Sequence, residues 1–295
     1  MKVFVTGVCG QLGYDVMAEL KRRNYNYVGC DLTDKQLDNY IRLDITKKTD
    51  VMEAINRINP DAVIHCAAWT AVDAAEEPKN RDKVFGINAV ATRNIALACK
   101  KIDCKMIYIS TDYVFNGQGT EPRKADSNDF EPLNIYGKSK LEGEFAVKDI
   151  LKKFFIVRIA WVFGKNGNNF IKTMINVGKK NNVVRVVNDQ IGTPTYTVDL
   201  ARLLVDMVET EKYGYYHVTN EGGYISWYDF CVEIYRQYRL STKVTAVSTE
   251  EYGVSKANRP LNSRLDKSKL IKKGFKPLPD WKDAVNRYLL ELKNE

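Results

Sequence analysis

Short apolar runs alternate with amphipathic stretches through the first half of the chain. Strand-like runs occupy 3–5, 27–30, 62–66, 105–110 and 154–159, and the 62–66 run is apolar enough to read as a strand buried on both faces. Between them, helical spacing predicts helices from Gly13 through Leu20, over 51–58 (closed by Pro60), over 83–101 and over 137–148. Repeated β-then-α units of this length predict an α/β fold with a parallel, doubly wound sheet and right-handed crossovers.

Beyond position 160 the rhythm loosens. The 161–167 segment reads as loop, 170–178, 199–208 and 227–238 as helices, 183–187 and 244–247 as strands, and 258–266 as loop. No internal repeat or low-complexity linker divides the chain. The expected architecture is a main dinucleotide-binding domain over 1–163. Segments of 164–295 then alternate between that domain and a smaller, mostly C-terminal substrate-binding lobe.

Composition narrows the class. With 295 residues the chain can bury a full core, and 44% hydrophobic and 28% charged residues are ordinary for a soluble protein. There is no apolar run of about 18 residues, and the start reads as a strand rather than a signal peptide. A cytoplasmic protein with no membrane partner is therefore expected. The net charge of +8 is spread along the chain in short pairs such as Lys100-Lys101 and Lys272-Lys273, without a basic tail or stripe. That favours a solvated surface drawing an anionic, diphosphate-bearing substrate over a nucleic-acid partner.

The six cysteines form no CxxC pair, and with only His65 and His217 neither disulfides nor a zinc site is expected. No metal ligands are assigned. Carboxylate-held magnesium leaves little trace in a sequence and stays open, with Asp126 and Glu131 as loop carboxylates to consider.

Candidate chemistry begins at Gly7-x-x-Gly10-x-x-Gly13, placed between a strand and a helix. Glycines there permit a tight turn and close backbone approach, and the helix start faces a pyrophosphate. The spacing departs from GxGxxG, so its strand–turn–helix setting carries the weight. Gln11 and Leu12 lie within the turn. Asp31 ends the second strand, where a carboxylate meets the adenosine ribose and would repel a 2′-phosphate, which favours NADH; a plain turn aspartate is the competing reading. Asp44, followed by Ile45, could reach the adenine edge or act as a cap-region residue.

Tyr136 and Lys140 are four residues apart, on one face of the expected helix. A lysine beside the phenol lowers the cost of forming phenolate and makes tyrosine a usable acid–base group. Ser110 and Thr111 end a parallel strand, where open sheets place their ligands. In this arrangement Thr111 and Tyr136 hold a substrate ketone, reduced nicotinamide provides hydride, and Tyr136 gives the proton. Without that setting the Tyr-x-x-x-Lys pair would be an ordinary surface aromatic and cation.

These residues stand in a wider pattern: VFVTGVCGQLG at the start, LDIT around Asp44, PDAVIHCAAWTAVDAAE, INAVATRNIA, YISTDYVFNG and IYGKSKLEGE, then RIAWVFGKNGNNF, VVNDQIGTPTYTVDLA, ISWYDF and RPLNSRLD. Over essentially its whole length the chain resembles the dTDP-4-dehydrorhamnose reductase family, extended short-chain dehydrogenases/reductases with a Rossmann-like fold. The resemblance implies reduction of the C4 ketone of dTDP-4-dehydro-β-L-rhamnose to dTDP-β-L-rhamnose, for polysaccharide biosynthesis. It carries the family's catalytic set onto Thr111, Tyr136 and Lys140, and its sugar pocket onto Asp112, Tyr113 and Trp161.

Trp161 could pack a flat face on a hexose or serve as a core residue between lobes. Arg259 offers paired donors to a diphosphate. Asn188 and Gln190 are expected to hydrogen-bond the nucleotide. Ala67, Ala68, Thr70 and Val72 are expected under the cofactor ribose and nicotinamide or the sugar. Members use NADPH, some accepting NADH, so Asp31, with Lys35 near it to soften its charge, leaves both open. A monomer and a homodimer are both compatible with the sequence.

Rival readings share the scaffold. A dehydratase would want an acid–base pair beside the catalytic hydroxyl, where this chain has Asp112-Tyr113. An epimerase, or a reductase of another nucleotide-linked sugar, differs in substrate. A non-catalytic nucleotide-binding subunit would have no need of Thr111, Tyr136 and Lys140 together.

Overall fold

The computed structural model describes residues 1–35, 38–253 and 255–293. Six strands appear first along the chain: β1 (Lys2–Thr6), β2 (Asn26–Asp31), β3 (Tyr40–Arg42), β4 (Ala62–His65), β5 (Lys105–Thr111) and β6 (Phe154–Ile159). With the edge strand Gly214–His217 they form one seven-stranded sheet, in the order Gly214–His217, β6, β5, β4, β1, β2, β3. Every neighbouring pair is parallel. The chain starts mid-sheet, winds out to β3, then crosses to the other side of β1. The order therefore reverses between β1 and β4, and a crevice opens there at the carboxyl ends of the strands. This is the Rossmann-like α/β fold that the alternating runs predicted.

Successive side chains on these strands enter opposite layers. Val3, Val5, Ile107, Ile109, Phe155 and Val157 pack towards α1 (Gln11–Arg22) and the helix Thr197–Val208. Phe4, Val63, Met106, Tyr108 and Ile156 pack on the other face with α2 (Lys48–Ile58) and the helices Ala91–Lys101 and Ile135–Ile150. Fully burying one such side chain contributes about 1.5–3 kcal/mol, which is why apolar runs without alternation mark these strands.

A third cluster takes Phe163, Ile171, Ile175, Val184 and Val186, then Phe230 and Ile234, and finally Trp281, Val285 and Tyr288. Between its segments the chain returns to the sheet layer through Thr197–Val208 and Gly214–His217. The strand Val183–Val187 leaves the main sheet and pairs in parallel with Lys243–Val247.

Three local expectations change. The helix expected over 83–101 is interrupted: Arg81–Phe85 and Ala91–Lys101 flank a π-turn at Gly86–Val90. Within the expected loop 161–167, Val162–Phe163 pairs in parallel with Thr195–Tyr196. The three-residue β3 and the helix Trp281–Lys293 had no counterpart in the sequence reading. No described helix is long and apolar enough to cross a membrane.

Candidate active site

The crevice forms a cleft of about 1140 Å³. Its floor is the turn between β1 and α1. Gly7 has φ +72°, and a Cβ there would lie 2.6 Å from the Ala67 backbone. At Gly13 a Cβ would lie 2.2 Å from the Gly7 carbonyl oxygen. Only glycine fits either position, so the helix start folds down onto the turn. Gly10 is the N-cap of α1 and brings no side chain to its free N–H groups, and the first turn holds no acidic residue. Those N–H groups are left for an anion, which is the fit a dinucleotide pyrophosphate requires. Gln11, Leu12, Ile45, Ala67, Ala68 and Thr70 line the same cleft.

The two aspartates assigned to the adenosine end both line the cleft and both make turn contacts. Asp31 Oδ2 accepts from Cys9 N at 3.0 Å, and Oδ1 accepts from Leu32 N at 2.8 Å. The carboxylate thus pins the glycine turn from the end of β2. Asp44 Oδ1 accepts from Thr46 N at 3.0 Å and from the Thr46 hydroxyl at 2.6 Å, a local turn ahead of α2, whose N-cap is Lys47 rather than Asp44.

Across the cleft, β5 delivers Thr111 and the helix Ile135–Ile150 delivers Tyr136 and Lys140. That helix begins where it does because Asn134 Oδ1 accepts from Gly137 N at 2.8 Å, while Glu76 accepts from Ile135 N at 2.7 Å. The Thr111 hydroxyl donates to Asp112 Oδ1 at 3.0 Å and accepts from Tyr113 N at 3.2 Å. Tyr113 meets Tyr136 edge-on, with ring centroids 5.7 Å apart. Two buried atoms beside Thr111, Ser110 Oγ and Asp112 Oδ2, have no hydrogen-bond partner among the described residues.

Burial dominates the site's electrostatics. It pushes the Tyr136 phenol well up, against a hydrogen bond with Thr111 and with some help from the Asp112 charge. It pulls the Lys140 ammonium down to about 7, with Glu144 and Cys66 opposing. Asp112 is raised to about 6, again by burial, while Ser263 and Thr111 hold it down. Lys140 is 2% exposed, and its Nζ lies 4.1 Å from the Tyr108 ring centroid.

Of the residues assigned to the sugar nucleotide, Val72, Asp112, Tyr113, Trp161 and Arg259 line the cleft. Trp161 has a left-handed backbone, φ +51°, and its indole stacks on Trp227 at 3.8 Å and 16°. It also packs against two hydrophobic clusters, the core role considered for it, while lining the cleft. Arg259 is held by Asp73, Nη2 to Oδ2 at 2.7 Å. Asn188 and Gln190 are not brought to this lining. Asn188 is exposed at the end of the strand Val183–Val187, and Gln190 donates to Thr249 Oγ1 at 3.0 Å. Among the described residues, no group of three or more His, Cys, Asp or Glu side chains is arranged to hold a metal ion.

The cleft walls are fixed by residues whose role local spacing does not reveal. Asn88, in the π-turn, accepts from Trp69 N at 2.8 Å and donates to Trp69 O and to Ser139 Oγ at 3.1 and 2.9 Å. One amide thereby ties the loop after β4 to the helix carrying Tyr136. Asn166 donates to Cys9 O at 2.6 Å, and Asn169 to Gln11 Oε1 at 3.2 Å, so the segment after Trp161 closes over the glycine turn. An asparagine inside an apolar-periodic helix is the one sequence signal that points to Asn88.

The family model described as "RmlD substrate binding domain" matches residues 1–294. The chain is 39% identical to the spore coat polysaccharide biosynthesis protein SpsK of Bacillus subtilis, over 98% of this chain and 97% of that one. It is 36% identical to the dTDP-4-dehydrorhamnose reductase of Aggregatibacter actinomycetemcomitans, over 96% and 97%. A crystal structure of dTDP-4-dehydrorhamnose reductase from Bacillus anthracis in complex with NADP superposes with TM-score 0.90 at 42% identity, covering 98% of this chain and 99% of that one.

Proposed function

The chain belongs to the RmlD substrate binding domain family, and on that premise we propose that it reduces the C4 ketone of dTDP-4-dehydro-β-L-rhamnose to dTDP-β-L-rhamnose. The observation that carries this reading is the convergence of Thr111, Tyr136 and Lys140 on one cleft with the glycine turn. Relatives named as dTDP-4-dehydrorhamnose reductases match over nearly their full length and support the substrate. NADPH or NADH, seated on Gly7, Gly10 and Gly13, supplies the hydride when bound.

The chain's own groups handle the oxygen. Thr111 and Tyr136 hold the ketone oxygen, and the Tyr136 hydroxyl gives its proton as charge develops there. Burial makes phenolate costly, so Lys140 in its protonated form offsets that cost. Asp112, Tyr113 and Trp161, which line the cleft beside Thr111 and Tyr136, border the hexose. Arg259 takes the diphosphate.

The test is spectrophotometric. Purified protein given freshly generated dTDP-4-dehydrorhamnose should oxidise NADPH or NADH and yield dTDP-rhamnose; no substrate-dependent oxidation with either would refute the assignment. Tyr136→Phe should keep cofactor binding and lose about 10²–10⁴-fold in turnover. Retained turnover would mean another group donates the proton.

A further inference from the structure

Asp73 lies in the short helix Val72–Ala75, beside the cleft residue Val72. It gathers a segment far away in sequence. Its Oδ1 accepts from Ser255 Oγ at 3.1 Å, Lys256 N at 3.1 Å, Ala257 N at 3.0 Å and Arg259 Nη1 at 3.1 Å. Its Oδ2 accepts from Arg259 Nη2 at 2.7 Å. Partial burial pushes this carboxyl up, but hydrogen bonds from Arg259 and Ala257 outweigh it and hold it below the usual range. Two further ties seat the same segment: Lys256 Nζ reaches Glu77 at 3.2 Å, and Asn134 donates to Asn258 O at 2.8 Å.

The grip has a definite geometry. A guanidinium presents five N–H groups in one plane. Asp73 engages Arg259 end-on, through one N–H of each terminal nitrogen, and the outer side of Nη1 faces Ala257 O at 3.5 Å. The opposite edge, Nε–H with the second N–H of Nη2, has no acceptor among the described residues. That edge is the one that meets two oxygens of a phosphoryl group side-on.

We propose that Asp73 is a positioning residue for anionic substrate: it fixes the Arg259 guanidinium with its Nε/Nη2 edge open as a seat for the phosphoryl oxygens of a nucleoside diphosphate. This rests on the reading of Arg259 as the diphosphate contact. Two effects oppose each other when Asp73 is removed. Local charge becomes more positive, which favours an anion, while Arg259 and the 255–259 segment lose their anchor. Backbone N–H groups of Lys256 and Ala257 already offset the Asp73 charge, so loss of the anchor wins.

The experiment is a double-mutant cycle read by calorimetric titration of the full chain with dTDP, without nicotinamide. Arg259→Ala and Asp73→Ala should each weaken dTDP binding about tenfold, the scale of one hydrogen bond to a charged group. The double variant should be no weaker than Arg259→Ala alone. In turnover, the Asp73→Ala loss should fall on KM rather than kcat. Wild-type or tighter dTDP binding by Asp73→Ala, or additive losses in the double variant, overturns the proposal. Unchanged binding by Arg259→Ala instead overturns the diphosphate reading beneath it. Should Asp73→Ala fail to fold, Asp73→Asn carries the same test: its Oδ1 still receives the backbone N–H groups, but its amide cannot hold both Arg259 nitrogens.

Discussion

Lys140 shows what the site costs the fold. The residue is 2% exposed, and burial, by removing its water, pulls the ammonium from 10.5 down to about 7. Between those two values the unfolded chain binds the proton that the folded chain has released, so stability attributable to this group rises with pH across that window and is least below it. Lys140→Met should therefore melt higher than the parent at pH 7, by roughly 2–4 °C per kcal/mol regained, and the gap should close towards pH 10. A variant that melts lower at pH 7, measured without cofactor, would show that the ammonium is not penalised. The same variant should lose turnover, a trade of activity for stability. None of this was legible beforehand. The spacing of Tyr136 and Lys140 identified the pair, but Tyr108, whose ring the ammonium faces, reads in the sequence as one more apolar strand position.

The elements that were legible are strands buried on both faces and helices with one apolar face. Strands β1, β4, β5 and β6 and the helices on either face declare themselves because burial on two sides removes polar alternates. The three-residue β3, partly exposed throughout, has too little pattern to read, and the π-turn around Asn88 lies inside a stretch whose periodicity fits a plain helix. Asp73 was passed over because its partners lie at 255–259, beyond any window of local spacing.

A similar long-range tie joins β6 to the helix Ile135–Ile150. Arg158 donates to both oxygens of Glu144 at 2.8 and 2.7 Å and to Ala125 O at 3.2 Å, with both charged side chains at most 1% exposed. Removing one partner of a buried pair strands the other charge, at a cost of about 3–5 kcal/mol. Denaturant unfolding of Arg158→Met should show a loss of that size, and Arg158→Met with Glu144→Gln should recover much of it. Equal losses in the single and double variants would mean packing, not charge, sets the cost. Because that helix also carries Tyr136, the single variant should lower turnover as well.

At the scale of the whole molecule, the chain carries a net charge of +8 and a cleft proposed to take a dianionic sugar nucleotide. Salt screens such attraction over a Debye length of about 8 Å at 0.15 M against about 30 Å at 0.01 M. KM for the sugar nucleotide should therefore rise severalfold between those ionic strengths, with kcat nearly constant, and a flat KM would mean that only short-range contacts such as Arg259 attract the substrate. The stacked indoles of Trp161 and Trp227 have a consequence of another kind. At 3.8 Å and 16° their ultraviolet transitions couple as one delocalised oscillator, which absorbs and rotates light differently from two separate tryptophans. One indole follows the strand β6 and the other heads the helix Trp227–Tyr238, so any ligand that shifts these two elements relative to each other retunes that coupling. The cleft thus contains its own optical gauge, readable by circular dichroism without a label and whether or not any hydride has moved.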